Sequence, residues 1–230
     1  MRTRILCMVV AVAMGWGCLW FVLNYHALGT ARSAFESGDS DTVAELARRG
    51  DPSAQCYMGI MCEEGQARAR NYSDAASWFL KAALQGNAPA RRHLGLCYLN
   101  GRGVPRDEGQ AVHWLTLAAE QGDVPAQLQM GRLCSGSDWR GAARWYTAAA
   151  DRGNAEAQYE AALLYHEGKG VARDEIRSQV YVILSAAAGY APAVRDRLAL
   201  YEASGLSRDQ ALKAMEMARD WKPVASNRAL

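Results

Sequence analysis

Beyond its first 30 residues, the chain offers three kinds of side chain that could do chemistry. There are three histidines (His93, His113 and His166), four cysteines (Cys56, Cys62, Cys97 and Cys134), and two glycine-flanked cations in GRG (101–103) and GKG (168–170). Imidazoles and thiols can ligate a metal or form a nucleophile–base pair, and a glycine-rich turn beside a cation can cradle a phosphate. The spacing supports none of these. The sequence holds no H-E-x-x-H, C-x-x-C, G-x-S-x-G or complete P-loop, and the three histidines follow no ligand spacing. No catalytic residue, metal site, cofactor or small-molecule substrate is expected.

The elements that carry these residues recur. The phrase AASWFLKAALQG (75–86) returns as AVHWLTLAAEQG (111–122) and AARWYTAAADRG (142–153). Counted from the glycine that ends each phrase, Gly50 to Gly86 and Gly86 to Gly122 are 36 residues each, Gly122 to Gly153 is 31, and Gly153 to Gly189 is 36. A fixed period of this size is the mark of a solenoid, in which each unit buries its apolar face against its neighbours. Four residues after the glycine stand Ala54, Ala90, Ala126, Ala157 and Ala193, and nine after it Gly59, Gly95, Gly131 and Ala162. A turn follows, fullest in NGRGVPRD (100–107) and EGKGVARD (167–174). Its first glycine suits a left-handed helix end, and Asp107 and Asp174 suit capping of the next helix. The second helix then carries Trp78, Trp114, Trp145 and Tyr181, read as large buried aromatics, beside alanine pairs that let two backbones approach. GRG and GKG both fall at this turn, so helix termination accounts for them and for the period together.

These positions resemble the Sel-one-like repeat, a relative of the tetratricopeptide repeat. The second repeat fits most fully, with Ala90, Leu94, Gly95, Tyr98, Gly101, Gly103, Val104, Asp107, Ala111, Trp114, Ala118, Ala119, Gln121 and Gly122. The first has QARARN in place of the glycine turn, and the third lacks five residues there, which predicts a tight join. The resemblance implies an all-α, right-handed α-solenoid of helix-turn-helix units and a role as an adaptor for other proteins. Four repeats are expected at 50–85, 86–121, 122–152 and 153–188, after a degenerate half-repeat at 31–49. Capping helices are expected at 189–222, with Ser207 as a cap and a polar outer face, followed by a disordered tail at 223–230. The cysteines all fall on first helices. Cys56 and Cys62 are six residues apart, about 120° around a helix, and equivalent helices of successive units are ~8–10 Å apart, whereas a disulfide needs Cα atoms ~4.4–6.8 Å apart. Buried thiols are expected instead, with Cys62 and Cys134 in a tyrosine position.

Residues 1–30 are a separate object. Arg2 and Arg4 precede an uncharged apolar run from Ile5 to Leu23, and nineteen residues at ~1.5 Å each would cross a hydrocarbon layer of ~30 Å. An uncleaved signal-anchor competes with a cleaved signal peptide ending at Ala27-Leu28-Gly29. Length, with Trp16 and Trp20 towards the far end, favours the anchor. In either case the repeats are expected to be exported, on the periplasmic face of the inner membrane if the source is bacterial. The net charge of +2 comes from Arg2 and Arg4, and 24 basic residues balance 24 acidic ones in the remainder. That balance carries no footprint of a nucleic-acid binder.

What remains is a surface. By analogy with tetratricopeptide solenoids, first helices line a concave groove, which selects Arg92, Leu96 and Leu99 in the second repeat, Leu128 and Arg132 in the third, and Tyr159, Leu163 and His166 in the fourth. Aromatic, aliphatic and arginine side chains together suit a protein or peptide partner. The resemblance also brings two other functions to weigh: a β-lactam-binding or hydrolysing enzyme, for which no Ser-x-x-Lys motif is present, and a binder of envelope polysaccharide or peptidoglycan.

Overall fold

The computed structural model describes residues 31–66 and 69–224. The apolar run Ile5–Leu23 and the tail beyond Val224 lie outside the described residues. Among the described residues no helix is long and apolar enough to cross a membrane. Every regular element described is a helix. Helical residues 31–36 (α1) are followed by α2 (Ser40–Arg48), α3 (Pro52–Glu64), α4 (Tyr72–Leu84), α5 (Ala88–Asn100), α6 (Glu108–Glu120) and α7 (Val124–Cys134). Then come α8 (Trp139–Ala150), α9 (Ala155–Glu167), α10 (Glu175–Ala187), α11 (Ala191–Ser204) and α12 (Arg208–Asp220). They form two compact units, residues 31–106 and 107–224.

The helix ends are written in the repeat. Each first helix is capped by the residue after the repeat glycine: Asp51, Asn87, Asp123 and Asn154 accept from the amides of Ala54, Ala90, Ala126 and Ala157 at 2.7–2.9 Å. Each second helix is capped in the same way by Asn71, Asp107, Asp138 or Asp174. A side-chain cap of this kind is worth ~1 kcal/mol. In the third repeat, where the glycine turn is missing, only 135–138 separate α7 from α8.

A second device ties each first helix to the helix before it. Gln55, Arg91, Gln127 and Gln158, five residues after the repeat glycine, donate to the carbonyls of Ala47, Ala83, Ala119 and Ala150 at 2.9–3.2 Å. The three glutamines are buried. Each thereby gives a second donor to a helix C-terminal carbonyl that also accepts from the amide of the repeat glycine. The equivalent residue at the chain's end is Val194, exposed on α11.

The core corrects the sequence reading in one respect. On α4, α6, α8 and α10 the innermost position is the one after the repeat aromatic: Phe79, Leu115 and Val182 are fully buried and Tyr146 nearly so. Trp78 and Trp114 are only partly buried, whereas Trp145 and Tyr181 are buried. In the first and third repeats the inner residue meets the glycine of the first helix. A Cβ built on Gly59 would lie 2.6 Å from Cδ1 of Phe79, and one on Gly131 would lie 2.7 Å from Cδ1 of Tyr146. In the fourth repeat Ala162 stands in the glycine position and Val182 replaces the ring, in one core cluster. A smaller partner leaves room for the methyl.

The last two helices depart from the repeat. Ser207 caps α12 through a capping box with Gln210, as the sequence indicates. Ala214 and Ala218 of α12 then pack onto Val180 of α10. Beyond it Trp221 lies beside Gly153, and the Val224 amide donates to the Asp151 carbonyl at 2.7 Å. The outer face of this terminal helix is less polar than expected, since Leu212, Met215 and Met217 are exposed.

Candidate functional site

The eight residues read as a binding surface divide between the units. In the first, Arg92, Leu96 and Leu99 lie on α5 and are partly exposed. In the second, Leu128 and Arg132 lie on α7, and Tyr159, Leu163 and His166 lie on α9. Leu128 is 9% exposed and belongs to the core around Tyr146 and Tyr165, so it offers little to a ligand. The others keep part of their surface open.

Helix periodicity explains the arrangement on α9. Ala157, Gln158, Ala161, Ala162, Leu164 and Tyr165 are buried. The opposite stripe, spaced by three and four residues, is Glu156, Tyr159, Glu160, Leu163 and His166, all partly exposed. Three of these side chains are held by partners on neighbouring helices. Glu156 pairs with Arg132 of α7. The Tyr159 hydroxyl donates to Asp196 of α11 at 2.6 Å, and its ring stands 5.7 Å from that of Tyr190. His166 Nδ1 lies 2.9 Å from Glu175, which also accepts from Arg173 at 2.6 Å.

Burial and the Asp196 carboxylate push the Tyr159 phenol up to about 12. Asp196, which also accepts from Arg195, is held down to about 2. Burial, together with the charge of Glu156, raises the Glu160 carboxyl above the usual carboxylate range. Glu160 was not singled out by the sequence, because a glutamate on a helix surface carries no signal of its own.

In the first unit His93 stacks on Phe79 at 4.8 Å and faces Glu63 at 3.7 Å, and Arg102 lies 3.7 Å from the same carboxylate. The nearby His93 ring is the main influence that lowers the Glu63 carboxyl. His113 stands against Trp114 instead. Among the described residues no group of three histidine, cysteine or acidic side chains could hold a metal. Cys97 and Cys134 carry free thiols, Cys97 being buried and Cys134 partly so.

The glycine turns have a use beyond helix termination. Arg102 lies over the Tyr72 ring at 5.7 Å and Lys169 over the Trp139 ring at 5.1 Å. Each cation thereby covers the first residue of the second helix in the preceding repeat. The following glycine, Gly103 or Gly170, has positive φ and sits against the backbone there, where a Cβ would fall 2.8 Å from the amide nitrogen of Ser73 or Arg140. Both aromatic–cation pairs are thirty residues apart. The second repeat, followed by the one without a glycine turn, has Glu108 in place of the aromatic.

Helical hairpins stacked on shared seams within each unit, with partly exposed side chains on their first helices, define an α-solenoid. The Sel1 repeat model matches residues 52–87, 88–123, 140–154 and 155–190, more than half of the chain, and the chain belongs to that family. A Sel1 repeat protein from Oxalobacter formigenes is 30% identical, with 85% of each chain covered and a TM-score of 0.70. A protective antigen of uropathogenic Escherichia coli with the same repeat fold is 28% identical, with a TM-score of 0.68. That match covers 78% of this chain but only 40% of the antigen. A putative Sel1 repeat protein from Klebsiella pneumoniae, 18% identical over 77% of this chain and 93% of its own with a TM-score of 0.50, shares the fold. No curated protein matches the sequence.

Proposed function

We propose that the protein is a non-catalytic interaction scaffold of the cell envelope. In this reading its first helices hold an extended segment of a protein partner, and its N-terminal run tethers the exported repeats to a membrane. The observation that carries the binding part is the stripe Glu156, Tyr159, Glu160, Leu163 and His166 on α9. Glu156, Tyr159 and His166 of this stripe are held by hydrogen bonds and ion pairs to α7, α11 and α10. A surface ordered before binding loses little side-chain freedom when a partner arrives, so modest contacts can add along a peptide. The tether rests on the length of Ile5–Leu23 and on Arg2 and Arg4 at its leading end.

The test is capture from a membrane extract followed by comparison of variants. Arg92→Glu on α5 and Tyr159→Ala on α9 should each weaken binding of the captured partner. Charge reversal at Lys81 on α4 or Arg144 on α8 should leave it intact. Loss of capture through the second-helix changes alone, with both first-helix variants folded and binding, would place the function on the opposite faces.

A further inference from the structure

We infer that the groove between α10, α11 and α12 holds an extended, acidic segment of a protein partner. A bulky apolar side chain fills the groove, its backbone carbonyl meets the buried Gln179 amide, and a neighbouring carboxylate meets Arg197. The inference rests on the scaffold reading and adds a site beyond the α9 stripe. It starts from the four glutamines that are buried among the described residues. Gln55, Gln127 and Gln158 each donate to a backbone carbonyl. Gln179 on α10 is 3% exposed, and its Nε2 is buried with no acceptor among the described residues. An amide donor left in that state costs stability. Gln179 lines a cavity of about 410 Å³, together with Ile183 of α10, Arg197, Leu198 and Tyr201 of α11, and Met215 of α12. The amide nitrogen lies under the groove surface. Met215, unbranched and largely exposed, is the wall that can yield to an occupant.

The groove is open because α12 leaves its hairpin. In the repeats a second helix closes on its own first helix, as α4 does on α3, α8 on α7 and α10 on α9, whereas α12 lies on α10. Val194 and Leu198 stand five and nine residues after Gly189, the positions that Gln158 and Ala162 hold after Gly153. On α9 those positions are buried. On α11 they are open, Leu198 being 69% exposed. The end of a solenoid normally turns a polar face outward, and exposed apolar side chains gathered in one place mark a contact surface.

The donors select the occupant. Arg195 and Arg219 are each paired with the aspartate that follows them, but Arg197 forms no ion pair among the described residues, and no acidic side chain lines the groove. The groove therefore offers a buried neutral donor and an exposed cation between apolar walls, and its occupant must bring two acceptors. An extended chain does so, because its backbone carbonyls are free, whereas those inside a helix are already bonded. A neutral carbonyl suits the buried amide, since a carboxylate there would lose its hydration, and the carboxylate suits the open rim. A fatty acid carries only one such group. A second copy docked by two-fold symmetry would set donors against donors.

The experiment pans the purified full chain against a displayed library of random peptides, in parallel with Gln179→Met and Arg197→Glu. The parent should enrich peptides with a bulky apolar residue beside an aspartate or glutamate. Arg197→Glu should bind them about tenfold or more weakly, the scale of one charge-assisted hydrogen bond. Changing the peptide's acidic residue to lysine should restore binding to that variant and remove it from the parent. Gln179→Met should bind more weakly yet melt higher than the parent, because it keeps the volume and removes the unpaired donor. Enrichment of peptides without the apolar–acidic pair, or variants that bind as the parent does, overturns this inference and leaves the scaffold reading standing. Failure to enrich any peptide overturns both. A Gln179→Met variant that melts lower makes the glutamine a structural group and also overturns the inference. So does self-association of the parent that Leu198→Glu abolishes, which would give this end to a second copy.

Discussion

The seam between α3 and α4 permits a double substitution whose outcome follows from the fourth repeat. Phe79 is fully buried, and a methyl on Gly59 would overlap its ring. Gly59→Ala should therefore destabilise by ~1–3 kcal/mol from overpacking, less up to ~1 kcal/mol regained from alanine's higher helix propensity. Phe79→Val opens a void in a site lined by His93 and the Gly59 backbone and should cost ~2–4 kcal/mol. Together they rebuild the Ala162–Val182 pair of the fourth repeat, the new methyl filling part of the void. The double variant should be more stable than the sum of the single losses predicts, by ~1 kcal/mol or more. Urea unfolding followed by far-ultraviolet circular dichroism measures all four proteins. Losses that simply add would refute the idea that this pair sets the helix spacing.

Three further outcomes follow. Gly170→Ala, with φ of +71° and the Trp139–Arg140 backbone against it, should lower the melting temperature well beyond Gly205→Ala, whose left-handed site has nothing within 4 Å. Equal effects in a thermal melt would show that the turn does not press on the preceding repeat. Burial pushes the Cys97 thiol up to about 11, so iodoacetamide near pH 8 should leave it unmodified in the native protein and alkylate it in urea, as read by mass spectrometry of its peptide. Asp196 is held near 2 by Arg195 and Tyr159. Its contribution to stability is present above the ordinary carboxylate value and lost as pH falls towards 2, so Asp196→Asn should flatten that part of the stability–pH curve. An unchanged curve would mean that this bond contributes nothing.

Much of the fold is written in the chain because short-range chemistry specifies it. The glycine period, the Asp107 and Asp174 caps and the Ser207 cap are local, and each is where its spacing implies. Helix phase is different. Whether Trp78 or Phe79 points inward depends on the helix opposite, and Gly59 admits the later residue. The ties from Gln55, Gln127 and Gln158 were equally present in the sequence, since they recur at a fixed offset, but a lone glutamine signals nothing until its acceptor is known. Arg102 and Lys169 show a subtler case. Their thirty-residue spacing from Tyr72 and Trp139 becomes meaningful only once the turn is seen to lie on the preceding helix. For the surface, periodicity found Tyr159, Leu163 and His166 on one stripe, while Leu128 belongs to the core because α7 meets α8 and α9 there. The exposed Leu212, Met215 and Met217 depend on where α12 docks, which no repeat rule governs.

The claim at the centre of this account is that binding uses the first helices. Hydroxyl-radical footprinting of the full chain, alone and with its captured partner, tests it most directly, because it reports side-chain cover without any substitution. The account predicts that Tyr159, Leu163 and His166 on α9 become protected while Trp78 on α4 and Trp139 at the start of α8 react as before. Protection of those second-helix aromatics, with the α9 stripe unchanged, would contradict it.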